Sequence, residues 1–193
     1  MNHDLHPLLA QIGHTVATHC PEAYFVGGCV RDWLRGDPLK DLDFALVGDP
    51  HRVASRVASE YGGHVFWLRQ EDEVVRVVLP AHGGLQLDFS PLRGTLEEDL
   101  LARDLTINAM AVPAAGGLVP GAEVLDPAGG RDDLAAGVVR FTGPLAPERD
   151  PLRTLRALRF RWKLGFTLAE ETAARLRECV PLLEQVSVER VRD

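Results

Sequence analysis

Apolar and polar positions alternate along the first half of the chain with two distinct periods. Helical spacing predicts a helix over residues 5–19, with its apolar face made by Leu5, Leu8, Leu9, Ile12 and Val16. Short apolar runs bounded by turn residues predict five strands, at residues 23–26, 42–47, 64–68, 74–79 and 85–89. Two further helices are predicted between them, one ending at Gly36 and one beginning at Pro50. The first half therefore predicts a mixed sheet with helices packed on it.

Helical signals dominate the second half. A capping box predicts that a helix begins at Leu96, and Asp104 suits the start of another helix that carries Met110. A short strand is predicted at residues 123–125, and from Pro151 the pattern is helical to the end. We therefore expect an α/β (α+β) fold in which helices follow the sheet.

The length of 193 residues allows one large domain, or one domain with an appendage. The turn residues at 143–147 suggest a boundary, with a mixed domain at residues 1–142 and a helical segment at residues 143–193. The start, Met1-Asn2-His3-Asp4, lacks the features of a secretory peptide, and no apolar run reaches membrane length. The 3 cysteines have no paired spacing, which favours a reducing compartment. We expect a cytoplasmic protein without a membrane partner.

The net charge of −7 argues weakly against a polyanionic partner. The charge is unevenly distributed, because residues 139–163 carry 7 basic and 2 acidic residues. Such a run is either a solvated helix face or an electrostatic contact for phosphate groups, and composition alone does not choose between them.

Two aspartates, Asp41 and Asp43, are the first candidates for chemistry. Side chains alternate along a strand, so both point to the same side. A divalent cation would relieve their repulsion, and oxygen ligands suit Mg²⁺. Asp88 lies on a later strand and would add a third carboxylate. The alternative is a pair of surface acids on an edge strand, which is the more common reading of two such acids alone.

A glycine turn precedes this pair. Gly27 and Gly28 lie between a strand and a helix, where backbone N–H groups and the helix N-terminus favour a phosphate. Arg31 follows one turn later and is suited to pair with a phosphate. The alternative is a tight turn with a surface arginine, since the pattern lacks the ending of a Walker loop.

The helix after Pro151 carries an acid and a guanidinium close together. Asp150 would accept from the exocyclic amine of cytosine or adenine, and Arg153 would donate to the neighbouring ring atom. Asp150 also suits a simple helix cap. We expect the arginines to face away from a core lined by Leu155, Leu158 and Trp162.

Together these motifs resemble, in order, those of the class II tRNA nucleotidyltransferases, the family of CCA-adding enzymes and bacterial poly(A) polymerases. The resemblance covers residues 24–193. It rests on Gly27-Gly28-Cys29-Val30-Arg31-Asp32, Lys40-Asp41-Leu42-Asp43, Asp88 to Arg93, Leu96 to Leu100, Arg103 to Ala109, Asp126-Pro127 through Arg140, Asp150 to Phe160 and Val186-Ser187-Val188-Glu189-Arg190. It implies a polymerase β-like head with a five-stranded sheet, followed by an all-helical neck.

The resemblance also implies roles for individual residues. Asp41 and Asp43 would hold two Mg²⁺ ions, and Asp88 would be the third catalytic carboxylate. The nucleotide, CTP or ATP, would be bound by Gly27, Gly28, Arg31, Arg103, Asp104, Asn108, Asp150, Arg153, Arg156 and Arg159. Asp150 and Arg153 would read the base, whereas Arg156 and Arg159 would support the phosphates or the helix. The acceptor would be the 3′ end of tRNA.

Several departures from the family pattern bear on the subtype. Ala102 and Arg149 replace a usual Arg and a usual Glu. Only Gly94 and Thr95 separate Arg93 from Leu96, where many CCA-adding members carry a flexible loop, so the resemblance favours CC addition. A-adding, full CCA-adding and poly(A)-synthesising activities remain alternatives. So does an inactive nucleotide-binding module, because the chain ends within the neck and lacks the regions that grip tRNA. The sequence leaves the oligomeric state open.

Overall fold

The computed structural model describes residues 5–187 and residue 190, and it divides into two compact units. The first unit comprises Met1–Leu96 and Ala111–Leu125, and the second comprises Glu97–Met110 and Asp126–Asp193. No helix among the described residues is both long enough and apolar enough to cross a membrane. The chain start considered above and Val188-Glu189 of the last motif lie outside the described residues.

The first unit is a six-stranded mixed sheet with the strand order β3-β4-β5-β2-β1-β6. Its strands are β1 (Ala23–Val26), β2 (Asp41–Leu46), β3 (His64–Arg69), β4 (Val74–Leu79), β5 (Leu85–Pro91) and β6 (Ala111–Pro113). The helices α1 (Leu5–His19), α2 (Gly28–Arg35) and α3 (Pro50–Tyr61) belong to the same unit. β2 pairs with β5 in parallel, while the other neighbours are antiparallel. This topology confirms the predicted mixed sheet with flanking helices.

One face of the central strands is apolar and buried. The Phe25 and Phe44 rings lie 4.5 Å apart, and the Phe44 and Phe89 rings stack at 5.0 Å. Alternation along β2 and β5 then leaves their polar residues on the opposite face. The sheet therefore fixes the acidic residues by burying their apolar neighbours.

Three details differ from the sequence predictions. The sheet has six strands rather than five, because Ala111–Pro113 adds β6 beside β1. Residues 123–125 form no strand, and Leu125 instead makes an isolated bridge to Ala111. The helix predicted after Asp104 is only a 3₁₀ turn at Thr106–Asn108, since the next residues extend to pair with the sheet.

The second unit is mostly helical. Its helices are α4 (Leu96–Leu101), α5 (Gly130–Ala136), α6 (Ala146–Arg149), α7 (Leu152–Leu164) and α8 (Glu170–Cys179), with a 3₁₀ helix at Val180–Gln185. Its core includes Leu105, Ile107, Val139, Phe141, Ala157, Phe160 and Leu176. Helix α7 begins at Leu152, one residue after the predicted start at Pro151, and Asp150 accepts from the N–H of Leu152 at 3.2 Å.

Two predictions for this unit are corrected. The segment of residues 143–193 is not entirely helical, because β8 (Thr167–Leu168) pairs in parallel with β7 (Val138–Val139), which precedes the segment. Helix α7 also packs through a different face from the predicted one. Phe160 and Ala157 are buried, whereas Leu158 and Trp162 are exposed. The head and neck boundary at residue 142 stays a prediction.

Candidate functional site

The first group of polar residues lies on the open face of the sheet. Asp41 and Asp43 are two residues apart on β2, where Asp41 is exposed and Asp43 is half-buried. Asp43 is the direct neighbour of Asp88 in the parallel register of β2 and β5. The structure therefore brings Asp88 beside the predicted pair, on the same face of the sheet.

A basic residue that the sequence reasoning did not single out faces these acids. Arg76 lies on β4, directly opposite Asp88 in the antiparallel register. Its Nε donates to Oδ1 of Asp88 and a terminal nitrogen donates to Oδ2, both at 2.7 Å. This hydrogen bond to Asp88 raises the pKa of Arg76 against the cost of burial, and the charges of Asp88, Asp41 and Asp43 act in the same direction. The guanidinium is thus permanently charged beside the acidic face.

The donor set at Asp41 and Asp43 fits a divalent metal ion. Both residues offer carboxylate oxygens, which are the ligands that Mg²⁺ prefers, and they are accessible from the open face. Among the residues that the structure describes, no group of three or more carboxylate, histidine or cysteine side chains is arranged to hold a metal. A metal ion bound here would be held first by the pair on β2, because Arg76 already engages both oxygens of Asp88.

The glycine turn between β1 and α2 requires glycine. Gly27 has φ 73° and ψ −134°, in a region that side chains disfavour. The buried Arg31 reaches back over this turn, and a Cβ on Gly28 would lie 3.5 Å from its guanidinium. Arg31 also holds both oxygens of Asp32, at 2.8 and 2.9 Å. Gly28 and Arg31 therefore lie close together at the start of α2, and their contact with a nucleotide stays a prediction.

In the second unit, both oxygens of the buried Asp104 carboxylate accept hydrogen bonds. Its Oδ1 accepts from the N–H of Leu105 at 2.8 Å and from the amide of Asn108 at 3.2 Å. Its Oδ2 accepts from Nε of Arg156 at 2.7 Å. The ion pair ties helix α7 to the segment that contains Asp104 and Asn108.

Asp150 and Arg153 stand at the start of α7, and each already has partners. Two guanidinium nitrogens of Arg153 donate to the carbonyls of Arg103 and Ala102, at 3.0 and 2.8 Å. Burial lowers the pKa of Arg153, while the charges of Asp104 and Asp150 oppose that shift. Asp150 accepts from Arg190 at 3.2 Å. The two predicted base-reading residues are therefore held in place by the second unit itself.

The other predicted arginines differ in their surroundings. Arg103 pairs with Asp99 one turn earlier, at 3.0 Å. Arg159 is exposed, and its guanidinium lies 5.5 Å from the Phe160 ring. Of the residues missed from the sequence, Arg76 had one available signal, since it is the lone charge in the strand Val74–Leu79.

Two family models match this chain. The model described as the poly A polymerase head domain matches residues 23–140. A second, described as the probable RNA and SrmB-binding site of polymerase A, matches residues 165–193.

Curated relatives and a solved structure agree with these matches. The CC-adding tRNA nucleotidyltransferase of Geobacter sulfurreducens is 42% identical over 172 residues, which cover 89% of this chain and 39% of that protein. The A-adding tRNA nucleotidyltransferase of Deinococcus radiodurans is 40% identical over 178 residues, covering 90% and 39%. A structure of a CCA-adding enzyme in complex with CTP superposes with a TM-score of 0.85 at 30% identity, covering 100% of this chain and 47% of that one.

The chain thus spans about two fifths of the length of these curated relatives. The head-domain match nevertheless covers more than half of the chain, and it contains the acidic strand, the glycine turn and Asp88. The chain belongs to the family of tRNA nucleotidyltransferases and poly(A) polymerases.

Proposed function

We propose that the chain carries out metal-dependent transfer of CMP from CTP to the 3′-hydroxyl of tRNA, with release of pyrophosphate. The observation that carries this proposal is the open sheet face, where Asp41 and Asp43 share one side of β2 and Asp88 is the register neighbour of Asp43. The relatives named as tRNA nucleotidyltransferases support the reaction class, and the structures solved with CTP and with ATP support a nucleoside triphosphate as substrate. We expect the reaction to take place in the cytoplasm.

The first unit would supply the metal and phosphate chemistry. Asp41 and Asp43 would hold two Mg²⁺ ions, and Asp88 would add negative charge beside them. When bound, the ions would activate the attacking hydroxyl and neutralise charge on the leaving pyrophosphate. Gly28 and Arg31 would bind phosphate oxygens, because a helix start and a guanidinium both favour anions. Positioning and charge neutralisation then supply most of the rate, without a covalent intermediate.

The second unit would recognise the nucleotide. Asp150 would accept from the exocyclic amine of cytosine, and Arg153 would donate to the adjacent ring atoms. A guanidinium has five N–H donors, so Arg153 is suited both to bond backbone carbonyls and to donate to a base. Arg103, Asp104 and Asn108 would contact the sugar and phosphates, while Arg156 and Arg159 would support helix α7.

The short link after β5 supports CC addition over the alternatives. β5 ends at Pro91 and α4 begins at Leu96, so only residues 92–95 connect them. The family resemblance implies a flexible loop at this point in many CCA-adding members, where it helps the switch from C to A addition. Sequence identity does not separate the subtypes, because the CC-adding and A-adding relatives are 42% and 40% identical.

Primer extension tests both the reaction and the subtype. The chain is incubated with Mg²⁺ and a tRNA that lacks its 3′ end, with CTP or ATP supplied separately. We expect addition of C residues with CTP and none with ATP, and extension with ATP alone would refute CC addition. Asp41→Ala and Asp43→Ala should abolish incorporation, so retained activity in either would refute the proposal. If calorimetry shows CTP binding without extension of tRNA, the chain is a nucleotide-binding module instead.

A further inference from the structure

The open sheet face carries one positive side chain beside three negative ones. The strand order places β5 between β4 and β2. Asp88 on β5 consequently has Arg76 on one side and Asp43 on the other, each as its direct register neighbour. Asp41 lies two residues before Asp43 on the same face. Arg76, Asp88 and Asp43 therefore form one row across the three strands, and Asp41 lies beside the end of that row.

Arg76 engages Asp88 through both of its carboxylate oxygens. Each of the two hydrogen bonds is 2.7 Å long, and the Asp88 side chain is only 16% exposed. Paired, charge-assisted bonds of this kind are among the strong ones in proteins. A metal ion that recruited Asp88 would have to weaken this pairing and accept a positive charge as a close neighbour.

We infer that Arg76 competes with the metal for Asp88 and thereby lowers the metal affinity of the nucleotide-free site. Its guanidinium balances one of the three carboxylates, which leaves Asp41 and Asp43 as the first ligands. The inference rests on the proposed metal site at Asp41 and Asp43, and it assigns Arg76 no contact with the substrate.

Variants that change the charges distinguish an Arg76 that competes with the metal for Asp88 from an Arg76 that orients Asp88 as a metal ligand. Arg76→Met removes the cation and leaves three acids, so we expect Mn²⁺ to bind at least about tenfold more tightly, because a repulsive charge close to the divalent ion is lost. Asp88→Asn removes one acid and keeps the cation, so binding should weaken. The double variant restores the original balance and should bind Mn²⁺ nearly as the unmodified chain does. If Arg76 instead oriented Asp88 as a ligand, Arg76→Met would bind more weakly.

The measurement is a Mn²⁺ titration without nucleotide, with the free ion followed by electron paramagnetic resonance. Unchanged or weaker binding by Arg76→Met would overturn the inference. Arg76→Gln provides a second test should the methionine variant not fold, because it keeps a donor to Asp88 while removing the charge, and it should also bind more tightly.

The same titration distinguishes failure of the inference about Arg76 from failure of the proposed metal site. If the unmodified chain binds Mn²⁺ and the combined Asp41→Ala, Asp43→Ala variant does not, the proposed metal site is supported. The result for Arg76→Met then tests only the inference about Arg76. If the combined variant binds Mn²⁺ as well as the unmodified chain, the proposed metal site itself is wrong.

Discussion

The ion pair between Arg156 and Asp104 gives a quantitative test of how helix α7 is anchored. Asp104 is buried, and its side chain is 7% exposed, whereas that of Arg156 is 45% exposed. Their 2.7 Å bond joins α7 to the turn that carries Asn108. The sequence alone leaves open whether Arg156 supports the phosphates or the helix, and this contact favours the helix.

The expected loss of stability follows from the burial of Asp104, since its partner Arg156 is partly exposed. A hydrogen bond to a charged group contributes about 1.5–3 kcal/mol, and solvent around the exposed Arg156 reduces that figure. We therefore expect Arg156→Ala to lower the free energy of unfolding by about 1–2 kcal/mol. Asp104→Asn should cost about 2–3 kcal/mol, because an amide nitrogen would face the guanidinium. The two changes should be non-additive by about 1 kcal/mol, since they remove one shared contact.

Urea denaturation followed by circular dichroism measures all four members of this cycle without nucleotide. Arg159→Ala is the matched control, because Arg159 is exposed on the same helix and lies 5.5 Å from the Phe160 ring. It should cost no more than about 0.5–1 kcal/mol. If Arg156→Ala costs no more than this control, or if the two changes are additive, the ion pair does not anchor α7 and the reasoning fails.

Further predictions concern packing in the second unit and thiol burial. A Cβ on Gly130 would lie 2.2 Å from the carbonyl oxygen of Thr106, whereas one on Gly143 would meet no atom within 4 Å. Gly130→Ala should therefore lower stability in urea by about 3 kcal/mol or more, and Gly143→Ala should change it by less than about 1 kcal/mol. Phe160→Ala should cost about 3–5 kcal/mol because the ring is 7% exposed, while Trp162→Ala, 90% exposed, should be within about 0.5 kcal/mol of the unmodified chain. A thiol reagent should label the native protein far more slowly than the denatured one, since all the cysteines are buried: Cys20, Cys29 and Cys179.

The sheet was predictable because its strands carry strong local signals. Apolar alternation and glycine turns locate β1 to β5, and the same alternation places Asp41 and Asp43 on one face. β6 escaped prediction because three residues are too few to show a period, and its pairing with β1 decides its conformation. Local pattern therefore located the site's main strands but not the edge of the sheet.

The buried face of α7 was not predictable from apolar spacing alone. The helix offers two candidate faces, one with Leu158 and Trp162 and one with Ala157 and Phe160. The larger side chains made the first face the expected core. The structure buries the second, in which Phe160 packs in the core with Leu105 and Phe141. Packing partners distant in sequence decide such a choice, and a single helix does not contain that information.

The pairing of Arg76 with Asp88 was also not predictable from apolar spacing. It changes how a substitution of Asp88 should be interpreted. The register of β4 against β5 depends on the turn between them, so the pairing of Arg76 with Asp88 could not be read from the strand alone. Asp88→Asn would lower activity whether Asp88 binds a metal or only balances Arg76, because the substitution also leaves the guanidinium without its partner carboxylate. Loss of activity in that variant is therefore no evidence for a third metal ligand. Restoration of Mn²⁺ affinity by a second change at Arg76 would instead show that the charge of Asp88 matters through its neighbour.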